Sequence, residues 1–474
     1  MAKNTGNPNI IYIMADDMGY GDLSCYGATK IQTPHIDGIA SQGIRFTDAH
    51  SSSAVCTPSR YSVLTGRYCW RTRLKKRVLG GFGAPLIEPE RMTVASMLKR
   101  HGYHTAAVGK WHLGLDWITQ RGEKLASSDF IAWAMDGFDV DYTQPLEGGP
   151  TERGYDYSFC IAGSLDMPPY CFIENDKTVG VPSVEKSPYN PQQRRGLMVE
   201  GWQDDQVDVT FARKAVAFVE EHVKERPEQP FFLYLTPSAP HRPCVPPPFV
   251  QGKSQAGLRG DSVVLVDWMV GEVLKVLKRL EVEENTLMLF TSDNGGRLTD
   301  FYGLDWGHKA NGDLRGQKGD IFDGGHREPL VAMWPDRIKP QSTSDELVCL
   351  MDLMATCAAI VGEDLPAGAA EDSRNILPAL LGGPLSEPLR ESVVHHSIDG
   401  MFSLRRGDWK LIEGTGSGGF SEPARYDPGP DDPRGQLYNI ADDGRETLNL
   451  WAAKPEVVRE LEGELERIRK GEGR

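Results

Sequence analysis

The sequence predicts an α/β fold: a large, mainly parallel sheet flanked by helices, followed by a small α+β C-terminal subdomain. Two observations predict it. Over the first three quarters of the chain, short apolar runs alternate with stretches whose apolar residues recur at helical spacing. After a segment rich in Pro, Gly and small residues at 362–392, the texture changes to short strand-like runs and one charged amphipathic helix. With 474 residues, 39% of them apolar, the chain has ample material for a large core. We expect a boundary at 375/376, separating a domain 1–375 from a subdomain 376–474.

The elements follow in order. Asn9–Ala15 is an unbroken apolar run of strand length. Thr93–His101 has helical spacing, and Thr105–Val108 is a weaker strand. Val207–Val223 repeats its apolar residues helically after the polar pair Asp204-Asp205. Pro230–Thr236 and Thr286–Thr291 are strands. Between them Ser262–Leu280 is a helix, with Asp261 as its expected N-cap. In the tail, Ser392–His396, Met401–Arg405 and Trp409–Ile412 read as short strands. Pro455–Lys470 places Val457, Leu461, Leu465 and Ile468 on one helical face.

Composition excludes several classes. A net charge of −15, from 52 basic and 67 acidic residues, argues against a nucleic-acid partner. No apolar run reaches 18 residues, so no membrane-spanning helix is expected. Met1 to Asn9 is polar, and the apolar run that follows is about half the length of a signal-peptide core. This predicts a cytoplasmic protein, or a periplasmic or secreted one if a leader has been removed. The eight cysteines show no CxxC spacing that would mark a zinc site or a disulfide scaffold.

Chemistry gathers at the strand ends. Asp16-Asp17 follows the first strand, and Gly109-Lys110-Trp111-His112 follows the second. The third leads into Pro240-His241-Arg242-Pro243, and the fourth into Ser292-Asp293-Asn294. Ligands of open α/β sheets bind outside the carboxyl ends of the strands. Each group alone has an ordinary reading as a turn, a cap or a surface residue; their recurrence after four strands does not. Asp16, Asp17, Asp293 and Asn294 are hard oxygen donors, suited to Ca²⁺ or Mg²⁺ rather than zinc. Cys56-Thr57-Pro58-Ser59-Arg60 forms a second cluster. Pro58 is suited to opening a helix through Leu64, which places Cys56 at a helix N-terminus, either as an activated thiolate or as a buried structural thiol.

Cys56-Thr-Pro-Ser-Arg60 with Leu64-Thr-Gly66 resembles the modification signature of the type I sulfatases. Val108-Gly-Lys-Trp-His-Leu-Gly114, Ser292-Asp-Asn-Gly-Gly296, Leu314-Arg-Gly-Gln-Lys318 and Phe322-Asp-Gly-Gly-His-Arg-Glu-Pro329 resemble further blocks of that family, in the same order. The resemblance implies an alkaline phosphatase-like fold, a large mixed, mainly parallel sheet flanked by helices with a smaller C-terminal subdomain carrying an antiparallel sheet. It also implies that Cys56 is oxidised to formylglycine by a formylglycine-generating enzyme, and that one Ca²⁺ is held by Asp16, Asp17, Asp293, Asn294 and the modified residue 56. By the same resemblance the hydrated aldehyde is the nucleophile. Arg60 holds it, Lys110 and Lys318 bind the sulfate, His112 acts as a base, His241 protonates the leaving alcohol, and Asp293 accepts the nucleophile's proton. Lys309 is a weaker alternative to Lys318.

The alcohol half of the substrate is a separate question. Arg77–Leu86 and Ala162–Asp176 are the candidate specificity segments, the latter offering Asp166 and Tyr170 to a carbohydrate. Both resemble arylsulfatase A and N-acetylgalactosamine-6-sulfatase types, which implies an exo-acting carbohydrate sulfatase, also active on aryl sulfates. The alternatives are a formylglycine-dependent phosphonate or phosphodiester hydrolase and a non-catalytic glycan-binding pseudoenzyme. The basic stretch Arg71, Arg73, Lys75, Lys76, Arg77 reads equally as a solvated loop or as a pocket mouth.

Overall fold

The structure, a computed structural model, describes residues 6–125, 135–298, 306–383 and 385–471. Among these, ten strands form one large sheet. Their order is Ser342–Ser344, Ile44–Phe46, Leu330–Met333, Thr286–Ser292, Asn9–Ala15, Phe231–Thr236, His104–Lys110, Tyr157–Ile161, Ile173–Glu174 and Lys177–Thr178. The five strands from Thr286–Ser292 to Tyr157–Ile161 run parallel, and Leu330–Met333 joins them antiparallel. All four predicted strands of this region lie side by side at the centre of the sheet.

Their continuous apolar runs have a simple cause. In Asn9–Ala15, Ile10, Tyr12 and Met14 enter one core, while Ile11, Ile13 and Ala15 enter the other. A strand covered on both faces has no polar side to show. Helices Cys56–Thr65, Val94–Arg100 and Leu353–Val361 cover the first face. Pro34–Gln42, Val207–Glu225 and Gly257–Arg279 cover the second.

One helix start differs from expectation. The helix placed at Ser262 begins at Gly257, so Asp261 lies inside it rather than capping it. The Asp261 carboxylate instead accepts from the Gly252 and Ser254 amides at 2.7 and 2.9 Å, fastening the loop that leads into the helix. The short strands Ile44–Phe46 and Leu330–Met333, next to the edge strand Ser342–Ser344, carry no signal in the sequence. At three and four residues they are too short for a periodic signal.

The small sheet pairs Ser392–His396, Phe402–Arg406, Trp409–Ile412 and Gln436–Asn439, all antiparallel. Helix Pro455–Lys470 packs on it through Val458, Leu461 and Leu465. This core is shared: Tyr68, Trp70, Cys349 and Met351 of the larger part belong to it. Conversely, Ile376, Ala379 and Leu380, beyond the expected boundary, pack in the core of the large sheet. A buried Lys410 ammonium ties the two parts. It reaches Asp323 and Glu446 at 2.7 Å each and His326 at 3.1 Å.

The first strand of the small sheet borders the segment before Cys56. The Ala54 amide and the Ser53 hydroxyl both donate to the His396 carbonyl at 3.1 Å. Burial lowers His396 from its ordinary value to about 4. The unfolded chain takes up this proton near pH 6.5 and the folded chain only near 4, so the neutral imidazole contributes stability that is lost as pH falls through that window. We expect His396→Asn to flatten the pH dependence of the unfolding free energy between 6.5 and 4 by about 1.4 kcal/mol per pH unit. Urea titrations across that range measure it; unchanged slopes would show a solvated imidazole.

Candidate active site

The four central strands deliver their chemistry to one edge, as parallel strands must. Ala15 stands beside Ser292 in register, and Gly109 beside Thr236. Asp16-Asp17, Lys110, His241 and Asp293-Asn294 therefore emerge side by side. Gly109 is needed there. Its φ is +121°, and a Cβ would lie 2.0 Å from the Thr236 carbonyl oxygen. Asp17 and His112 also hold left-handed backbone, at φ +64° and +55°. For Asp17 this strain is held by its surroundings. Its amide donates to Asp293 at 3.2 Å, and its carbonyl accepts from Arg259 at 2.9 Å.

Helix Cys56–Thr65 points its first turn at this edge. Every one of its ten residues is buried, and Cys56 is 2% exposed. Arg60, one turn along, donates its Nε to Asp293 at 2.9 Å and its Nη1 to the Lys110 carbonyl at 3.2 Å. Lys110 Nζ lies 2.7 Å from Asp16. Lys318 Nζ lies 2.6 Å from Asp17 and 3.4 Å from Cys56 Sγ. Three buried carboxylates thus face three buried cations. Lys309 is exposed and paired with Asp313, outside the cluster.

Burial pushes the Cys56 thiol up to about 12, with Lys110 and Lys318 pulling it down and Asp293 and Asp16 pushing it further. Burial thus opposes ionisation of the thiol more strongly than the two lysines favour it. Burial opposes ionisation of Asp17, but Lys318, His241 and Lys110 outweigh it and hold the group well below the usual carboxylate range. At Asp293 burial prevails over Arg60, with Asp16 adding to it, and the value is raised.

The histidines have assignable protons. His112 Nε2 lies 2.8 Å from the Leu79 carbonyl, which can only accept, so Nε2 carries the hydrogen and Nδ1 is a bare acceptor. Burial, then Lys110, keep His112 well below its ordinary value. His241 Nδ1 likewise donates to the Arg242 carbonyl at 2.8 Å, leaving Nε2 3.6 Å from Asp17. Burial and Lys318 hold His241 down to about 3, against Asp17 and Asp166.

The donor set fits a hard divalent cation. Asp16, Asp17, Cys56 and His241 each present a ligand atom within 4.8 Å of the others. The outer oxygens Asp16 Oδ1 and Asn294 Oδ1 are buried and accept no hydrogen bond among the described residues. Buried oxygen acceptors left in this way are the groups a cation satisfies.

Above residue 56 lies a cavity of about 830 Å³, lined among others by His112, Asp166, His241 and Lys318. The sulfatase family profile matches residues 8–363.

This chain belongs to the sulfatase family.

The sulfatase is similar over 98% of its length to an N-acetylgalactosamine-6-O-sulfatase of Bacteroides thetaiotaomicron, at 36% identity and 94% of that protein. Human arylsulfatase A is 32% identical, covering 96% of this chain and 86% of its own. A solved B. thetaiotaomicron structure, described with the metabolism of multiple glycosaminoglycans, superposes with a TM-score of 0.84 at 33% identity, covering 98% of this chain and 99% of that one. The chain is accordingly a sulfuric ester hydrolase of arylsulfatase type, with the family's large mixed sheet and small antiparallel one. Among its described residues no helix is long and apolar enough to cross a membrane.

The two predicted specificity residues part ways. Asp166 is buried at the cavity wall, 3.1 Å from Arg242, and neither of its oxygens accepts a hydrogen bond among the described residues. Tyr170 is buried as well, but its hydroxyl donates to the Arg194 carbonyl at 2.5 Å and it does not line the cavity.

Sequence reasoning missed two supports. The Asp208 carboxylate accepts from the Ser238 amide and hydroxyl at 2.7 and 2.9 Å, anchoring the loop that carries His241. Asp22 pairs with Arg259 at 2.7 Å and with His308 at 2.8 Å, fixing the guanidinium that holds Asp17. Asp22 lies six residues after Asp16, and nothing in its local pattern marks it.

Proposed function

We propose that this sulfatase cleaves a sulfate monoester with residue 56 in its formylglycine form and one Ca²⁺ held by Asp16, Asp17, Asp293 and Asn294. The observation that carries this reading is the convergence of Cys56, Arg60 and Lys318 with those four donors on one buried sheet edge. Hydrated formylglycine supplies one hydroxyl as nucleophile for sulfur and a second that lets sulfate leave by elimination rather than by another displacement. Asp16, Asp17, Asp293 and Asn294 would hold the cation, whose charge would offset the three carboxylates and make it a Lewis acid for sulfate oxygens.

The chain's own residues then have definite tasks. Arg60 fixes Asp293 and holds the first turn of the nucleophile helix to the sheet edge. Lys110 and Lys318 place two ammonium groups where the charge of the sulfate redistributes. His112 offers its bare Nδ1 as the base for sulfate release. His241 protonates the departing alcohol at Nε2; since it is neutral in the free protein, it takes up that proton together with the anionic substrate.

The substrate proposed is a carbohydrate sulfate cleaved from a chain end, a 6-O-sulfated N-acetylgalactosamine unit. The relative of that name and a cavity of about 830 Å³ lined by polar side chains above residue 56 support it. Asp166 would accept from sugar hydroxyls.

Mass analysis of the peptide spanning residue 56 tests the nucleophile. Protein from the native host should show a mass about 18 Da below that of cysteine. Relative turnover tests the reaction: an aryl sulfate should exceed an aryl phosphate diester in kcat/KM, and the reverse would overturn the sulfatase reading.

Metal removal gives a further expectation. Ca²⁺ at about 100 times its Kd should stabilise the fold by about 2.7 kcal/mol and EDTA should reverse this. Asp293→Asn should shift that stabilisation to higher Ca²⁺ and lower activity with it. A thermal midpoint indifferent to Ca²⁺ in the native protein would remove the metal from the proposal.

A further inference from the structure

Three histidines converge outside the cavity above residue 56. His50 ends the two-residue strand Ala49–His50, His326 closes the short helix Asp323–His326, and His395 lies in the first strand of the small sheet. All three are 0% exposed, and each presents a ring nitrogen within 4.8 Å of the other two. The His326 and His395 rings stack at 3.8 Å, with the His50 ring tilted at 39° to both. Burial holds each of them below the ordinary histidine value, so the rings are neutral at pH 7, the form that ligates metals.

Each ring turns one nitrogen outward to an acceptor. His50 Nε2 lies 2.9 Å from the Asp48 carboxylate, His395 Nδ1 2.9 Å from the Ser51 carbonyl, and His326 Nε2 3.1 Å from the Ile321 carbonyl. These acceptors place the hydrogens on the outward nitrogens and leave His50 Nδ1, His326 Nδ1 and His395 Nε2 bare and facing inward. The two Nδ1 atoms are 3.1 Å apart. His395 Nε2 is buried and has no hydrogen-bond partner among the described residues. A shared proton is the rival arrangement. Lys410 Nζ is 3.1 Å from His326 Nε2; if it donates there, His326 Nδ1 donates to His50 and His50 to Asp48. That chain satisfies two rings and leaves His395 Nε2 unmet in the core, where buried acceptors are rarely left so. A cation satisfies all three at once, and Lys410 keeps Asp323 and Glu446 at 2.7 Å each.

We propose that His50, His326 and His395 form a zinc site, separate from the cation centre at Asp16 and Asp17, that staples the segment leading into Cys56 to the small sheet. Imidazole donors suit Zn²⁺ and not Ca²⁺, which takes oxygen ligands. Zinc–nitrogen bonds of about 2.0–2.1 Å set tetrahedral ligand nitrogens about 3.3 Å apart. The His50–His326 pair stands close to that spacing, and the His395 ring closes on it, with a water in the fourth position. The outward contacts have the form usual for a metal-bound histidine, whose second N–H is held by a carboxylate or a backbone carbonyl. Here Asp48, Ser51 and Ile321 supply them.

The test uses the full chain, expressed with zinc in the medium so that the ion is present as the site closes, then dialysed against Ca²⁺. Elemental analysis should find about one zinc per chain. The zinc K-edge spectrum should show three imidazoles at about 2.0–2.1 Å. His50→Gln and His395→Gln should each reduce bound zinc by about tenfold or more and lower the thermal midpoint. His241→Ala should keep the zinc, because His241 belongs to the other group of donors. Native protein without zinc, zinc that persists in both histidine variants, or zinc lost with His241→Ala overturns the site. Should the variants fail to fold, the edge spectrum of the native chain decides alone: three imidazoles support the site, and a shell of oxygen or sulfur ligands overturns it.

Discussion

Cys56→Ala should abolish turnover, lowering kcat by roughly 10⁴–10⁶-fold, as loss of a nucleophile does elsewhere. The fold should survive. Cys56 begins the helix rather than filling a core, Ala is a good helix former, and among the described residues the side-chain hydrogen bond lost is the 3.4 Å contact from Lys318, which keeps Asp17 at 2.6 Å. Sulfate release from 4-nitrophenyl sulfate and the thermal midpoint, measured on one preparation, separate the two effects. A variant that keeps most of its activity would place the nucleophile elsewhere. A variant that does not fold would show that the thiol matters to packing in a way its polar surroundings do not indicate.

His241→Ala should lower turnover by about 10²–10⁴-fold for a sugar sulfate and far less for 4-nitrophenyl sulfate. A sugar alkoxide is a poor leaving group and needs its proton, whereas nitrophenolate leaves without help. The geometry sharpens the expectation. Nδ1 is committed to the Arg242 carbonyl, so only Nε2 can deliver a proton, and it faces Asp17 at 3.6 Å. Equal losses on the two substrates would make His241 a binding group rather than an acid.

Much of this site was legible because parallel strands make it so. Chemistry-bearing residues cluster at the carboxyl ends of parallel strands: Asp16, Asp17, Asp293 and Asn294 sit just past theirs, and Lys110 ends its own. Lys318 was separable from Lys309 by its motif, and the structure puts only Lys318 against Cys56. What stayed hidden depends on tertiary contact. Asp261 looked like a cap because helix starts blur over a turn. Tyr170 had the right chemistry for a pocket, but its hydroxyl meets a carbonyl 24 residues away. Asp208 and Arg259 act through partners 30 and 242 residues distant, and no local pattern encodes such distances. The subdomain boundary was blurred for a similar reason. The tail supplies a sheet, but its core takes in Tyr68 and Trp70 from beside helix Cys56–Thr65.

The enclosure of helix Cys56–Thr65 bears on when residue 56 is chemically reachable. In the folded chain all ten residues are buried, with the small sheet bonded across the preceding Ser53 and Ala54. If residue 56 is converted as proposed, an enzyme acting on this segment would have to reach it before the chain folds.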